Sequence, residues 1–190
     1  MKTLKSTVLT VCMAIFLMSP GVAQEEIKAY LSETTPLILS LQENIQNFMG
    51  EVQPLRQNKD IVGLKDVADK YIGVWDGMLG QLGQVEPGPE TQRHYQALRQ
   101  LFEMQRKSNQ IMSETLGQRI ELLVEIQQMK ENGATDDEVK EFAADNSLDR
   151  EALLEETSAV KAATKEADET LKSEHKRLTG LVAGTETEEN

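Results

Sequence analysis

PETQRHYQALRQLFEMQRKSNQIMSETLGQRIELLVEIQQMKE, residues 89–131, is the stretch whose reading decides the fold. It contains no internal proline and no strand-like alternation. Pro89 suits a first helical turn, which has no use for the missing N–H. Gly133 suits the left-handed residue that closes a helix. Forty-three residues of helix reach ~65 Å at 1.5 Å per residue, far beyond an ordinary globular helix. A rod of that length needs partners along it, and the remaining chain supplies further helices.

Upstream, apolar residues recur at Ile38, Leu41, Ile45, Phe48, Val52 and Leu55, a bundle-type seam over nearly three heptads. The short segment 25–32 reads as a separate helical lead. Thr35 is placed as the N-cap of the next helix, with Pro36 at its first position. Pro54 is expected to kink or end that helix. Asp60 caps a second helix, whose seam is Ile61, Leu64, Ala68, Tyr71, Trp75, Met78 and Leu82. The short polar turn between the two seams predicts an antiparallel hairpin. Tyr71 and Trp75, at seam positions, read as core rather than as a stacking pair for a ligand.

Within the long helix, six polar residues in a row (105–110) predict a polar layer in the seam, a feature that fixes register at some loss of stability. Downstream, Thr135 and Glu138 match a capping box ahead of a helix of about ten residues. Ser147 or Asp149 then caps a final helix running to about Val182.

The expected fold is therefore all-α: an elongated antiparallel four-helix bundle with a projecting helical-hairpin arm tipped by residues 132–147. One domain spans 24–183. Residues 184–190 (GTETEEN) form an acidic tail of disordered composition. Residues 1–23 combine Lys2 and Lys5, an apolar core from Thr7 to Met18, and small residues ending at Ala23. That is the pattern of a cleaved secretory signal, too short for a membrane span. Cys12, the single cysteine, lies inside it, so the mature chain has no disulfide. Loss of Lys2 and Lys5 takes the net charge from −12 to −14, which repels nucleic acid and anionic lipid surfaces.

No catalytic, cofactor-binding or metal-ligating constellation emerges. His94 and His175 are the only histidines. Neither belongs to a His-Glu-x-x-His or Glu-x-x-His motif, and no Cys-x-x-Cys-His is present. Counted inward from the turn between their helices, they fall some ten residues out of step, roughly 15 Å, and read as two surface histidines. Asp145, Ser147, Asp149, Glu151 and Glu156 mimic calcium-loop spacing, but Arg150 stands where that loop requires glycine.

Two features point to partner binding. Gly73, Gly77 and Gly80 form one stripe on the second helix, where another backbone could approach. Ten acids between Glu131 and Glu156 face only Lys140 and Arg150, and Glu141, Asp145, Glu155 and Glu156 exceed what helix capping requires. Such a tip would steer a basic partner. The expected function is that of an exported, periplasmic or extracellular, non-catalytic interaction protein: a scaffold, adaptor or chaperone-like subunit, with homo-oligomerisation open to its seams. A bundle holding a haem or a metal through the histidines is the alternative.

Overall fold

The computed structural model describes residues 20–183. The expected signal core and the acidic tail lie outside the described residues. The five helices are α1 (Pro20–Gln57), α2 (Ile61–Leu82), α3 (Gln92–Glu131), α4 (Asp136–Asp145) and α5 (Arg150–Ala183). Among the described residues there is no strand, and no helix is long and apolar enough to cross a membrane.

The local signals act largely as read. The Asp60 carboxylate accepts from the Gly63 N–H at 2.9 Å and starts α2. A side chain at Gly63 would collide with that same carboxylate, 2.6 Å from where its Cβ would stand. Thr135 and Glu138 form both halves of the capping box of α4. Asp149 accepts from the Glu151 and Ala152 N–H groups and caps α5. Gly133, at φ +85°, ends the turn after α3.

Two boundaries differ from expectation. The lead helix and the first seam helix are one: α1 runs straight through Pro36 and also contains Pro54. Thr35 is therefore no N-cap. Its hydroxyl donates to the Leu31 carbonyl, and that of Thr34 to Tyr30. The cause is tertiary. Ile27, Tyr30, Thr34, Leu37 and Leu41 are all buried at 3,4,3,4 spacing, a seam that crosses the proline. Thr34 conceals it in the sequence by putting a hydroxyl at an apolar position. Burial along that face outweighs the ~3 kcal/mol that an interior proline costs.

The long helix starts three residues later than expected, at Gln92 rather than Pro89. Thr91 turns its N–H and its hydroxyl back to the Gly88 carbonyl, and Arg177 of α5 takes the Glu90 carbonyl. These bonds hold residues 88–91 as a turn ahead of the helix.

Successive long helices are antiparallel. Glu51 joins α1 to α2 by accepting from Lys70 at 2.7 Å and from the Tyr71 hydroxyl at 2.9 Å. Arg106 to Asp76 at 2.6 Å, and the Ser113 hydroxyl to Asp69, join α3 to α2. Lys107 pairs with Glu156 between α3 and α5. Every residue of the α2 seam from Leu64 to Leu82 is buried, and Trp75 and Tyr71 are core. Of the six polar residues 105–110 of α3 only Asn109 is buried, and Ser113, one turn further on, is buried as well.

The helices do not close into a bundle over their whole length. At one end α1 meets α5, where the Gln24 amide donates to the Val182 carbonyl at 3.0 Å. Toward the other end they part. Ile38, Ile45 and Phe48 of α1 and Leu153 and Val160 of α5 are only half-buried there, because each lines an open groove instead of a packed seam. Beyond the groove, the last turns of α3 extend past α2 and α5 with α4 packed on them through Val139. Leu123 and Val124 are about half exposed on this arm.

Candidate functional site

The closed end of the helices holds a buried polar chain. His94 of α3 is fully buried. Its Nδ1 lies 2.9 Å from the Tyr30 hydroxyl of α1, and its Nε2 lies 3.3 Å from Nδ1 of His175 on α5. A buried hydroxyl loses more by stranding its proton than by leaving a lone pair unused. Tyr30 therefore donates to Nδ1, and the Nε2–H of His94 donates to His175. Burial, helped by the neighbouring His175 and opposed by Glu174, pulls the His94 pKa from 6.5 to about 4. The ring is neutral at pH 7. Burial likewise raises the Tyr30 hydroxyl well above its ordinary value.

Glu174, also buried, lies against this chain from α5. Arg177 donates to it at 2.7 Å, and Arg93 approaches at 3.5 Å. Two adjacent sets of contacts thus join the helices here: Tyr30 of α1, His94 of α3 and His175 of α5 in one, and Arg93 of α3 with Glu174 and Arg177 of α5 in the other.

These contacts correct the reading of the histidines as separate surface groups. The count from the turn fails because α4 folds back along the end of α3. The first residue of α5 therefore stands opposite roughly Arg119, not opposite the end of α3. That displacement of ~12 residues brings position 175 level with position 94. With both ring nitrogens engaged inside the protein, His94 can ligate nothing without breaking one of these bonds. Among the described residues no group of three or more His, Cys, Asp or Glu side chains converges as a metal site would require.

Below His175 opens the groove, about 1690 Å³, between α1, α3 and α5. Its floor is apolar: Leu41 and Ile45 from α1, Leu101 and Met112 from α3, Val160 and Leu171 from α5. Its edge is basic. Arg56, Lys161, Lys165, Lys172 and Lys176 line it against the single carboxylate of Asp168. Four of these lysines belong to one stripe of α5, at 161, 165, 172 and 176. Two are partnered, Lys172 by Asp168 at 2.6 Å and Lys165 by Glu169 at 3.8 Å. In a chain of net charge −12, this concentration of cations on one face is an exception. The stripe is readable from the sequence as a helical face. It escaped notice because 165–169 and 168–172 look like ordinary solubilising pairs four residues apart.

The residues singled out beforehand do not gather at this site. Gly73, Gly77 and Gly80 are exposed on α2, and a Cβ added to any of them would meet nothing within 4 Å. Among the described residues no backbone approaches the stripe. Glu141 and Asp145 lie exposed on α4, while Glu155 and Glu156 lie on α5, beyond the non-helical link 146–149. Glu156 is held by Lys107. The acids are thus strung along two helices rather than clustered at a point.

Comparison with protein-family models, curated proteins and solved structures yields no match.

Proposed function

We propose that this chain is an exported, non-catalytic binding protein, a scaffold, adaptor or chaperone-like subunit that holds an apolar segment of a protein partner in the groove between α1, α3 and α5. The supporting observation is the groove itself: an apolar trough of about 1690 Å³ in an otherwise polar, acidic helical protein. Surfaces of this kind, apolar on the floor and polar at the rim, are where proteins receive partners. Export rests on the signal-like pattern of residues 1–23. The exposed acids between 131 and 156 would add long-range steering of basic surfaces toward the arm.

Binding of Nile red, an uncharged dye that fluoresces in apolar surroundings, tests this reading. Saturable binding near one dye per chain is expected, with loss in Ile45→Glu and Leu116→Glu variants whose circular dichroism is unchanged. Dye binding that ignores both substitutions, or no binding at all, overturns it.

A further inference from the structure

The occupant of the groove is constrained by its size and by its charge. Small-molecule sites commonly enclose about 300–1,000 Å³. This groove holds about 1690 Å³ and is open along one side. The part of α3 that lines it, Leu101 to Leu116, is ~22 Å long at the helical rise, and the part of α5 that lines it, Leu153 to Thr179, is ~39 Å. Dividing volume by these lengths leaves a mean section of about 43–77 Å², that of a cylinder roughly 7–10 Å across. An α-helix with its side chains, about 10–12 Å across, meets the upper end of that range in a groove open along one side. A single acyl chain would fill a fraction of it and leave the walls apart.

Charge selects among helices. Five cations and one carboxylate line the groove. Among the described residues Arg56, Lys161 and Lys176 have no ion pair, and all three are exposed at its edges. The lysines run along the α5 wall, and Arg56 stands on the α1 wall at the end of the groove beside Leu116. A helix lying on that floor would present its two polar flanks to them.

We propose that the groove receives an amphipathic helix of about 15 residues with acidic flanks, contributed by a protein partner and seated antiparallel or parallel among α1, α3 and α5 as an additional helix. The proposal rests on the groove being the binding surface. It assigns the partner a chemistry opposite to the one that the acidic arm alone implies. Leu, Ile or Met at positions i, i+3, i+4 and i+7 of the partner would meet Ile45, Met112 and Val160. Its Glu or Asp side chains would meet Lys161 on the α5 side and Arg56 on the α1 side, while Lys176, ~22 Å along α5 from Lys161, lies past the end of the Leu101–Leu116 stretch.

Two labelled peptides of about 18 residues test this, with the same leucine stripe but either glutamate or lysine on the flanks. Anisotropy titrations use the full chain and a Lys161→Glu/Lys176→Glu variant, two surface changes whose folding is checked by thermal melting. The acidic peptide is expected to bind at least about tenfold more tightly than the basic one, to gain helical circular dichroism on binding, and to lose that advantage in the variant. Equal binding of the two peptides overturns the proposal. So does displacement of Nile red by palmitate but by neither peptide, which would make the occupant a lipid. Self-association of the wild type that the charge reversal abolishes would make it a second copy of this chain, and also overturns it. Nile red binding without peptide preference sinks the acidic helix and leaves the groove reading intact, whereas absence of dye binding sinks the groove reading itself.

Discussion

His94 Nε2 and His175 Nδ1 lie 3.3 Å apart although 81 positions separate them in the chain. That contact marks the register of α5 on α3, in company with Arg93–Glu174 above it and Lys107–Glu156 farther along. It also places His175 at the head of the groove, so the buried polar chain from Tyr30 ends where an occupant would begin.

A pH dependence of stability follows from His94. Its pKa is about 4 in the folded chain against 6.5 ordinarily. Between those values the unfolded chain takes up a proton that the folded chain refuses, so stability falls as pH falls from about 6.5 to about 4. The loss from this residue approaches about 3 kcal/mol and is complete below the lower value. Tyr30, His175, Glu174 and Arg177 are the titratable groups that face it. Urea melts of the wild type at several pH values should show a steeper fall across this window than melts of His94→Gln. If that variant does not fold, the NMR titration of the His94 ring in the wild type supplies the answer. A pKa near 6.5 would contradict the burial argument.

Trp75 carries a cost that a smaller ring would remove. Its indole N–H is buried without a hydrogen-bond partner, the one such side-chain group among the described residues. An unsatisfied buried donor costs about 1–3 kcal/mol. Trp75→Phe removes the donor but opens a small cavity, and cavities cost ~24 cal/mol per Å³ in addition to lost transfer energy. The two effects oppose each other, and a net change under about 1.5 kcal/mol is expected from urea melts followed by circular dichroism. Tyr71→Phe at the next turn should cost about 1 kcal/mol through loss of the hydrogen bond to Glu51.

The glycine stripe should respond as an exposed helix face. With open space around each position, Gly73, Gly77 and Gly80 changed together to alanine should stabilise the fold by about 2–3 kcal/mol, at 0.8–1 kcal/mol each. Thermal melts and sedimentation of the triple variant report on this together. A destabilised or dissociated protein would mean that another molecule packs closely on this face.

The acids of the arm should separate into two kinds. Glu141, Asp145 and Glu155 are exposed, and their change to glutamine should move stability by no more than about 0.5 kcal/mol. Glu156 holds Lys107 across two helices, with both side chains nearly half exposed. Glu156→Gln should cost up to about 1 kcal/mol, less at high salt. Equal effects for all four would show that the Lys107 pair contributes nothing to docking α5.

Helices, caps and the core of α2 were determined by the sequence itself. Asp60, Thr135 with Glu138, Asp149 and Gly133 act on backbone groups within a few residues, so their effect is local and legible. The α2 seam from Leu64 to Leu82 repeats without a polar interruption, so its buried face is legible too. The passage of α1 through Pro36 and the turn ahead of α3 were decided by tertiary contacts. A seam running through Thr34 carries α1 across Pro36, and Arg177, distant in sequence, holds the Glu90 carbonyl in the turn that precedes α3. The polar chain and the groove belong to the same class. Each depends on the register of α5 against α3, which α4 sets by folding back along the arm, and periodicity within a helix carries no information about how far one helix slides along another. The lysines at 161, 165, 172 and 176 were visible as residues, but only the parting of α1 from α5 made them the rim of a groove.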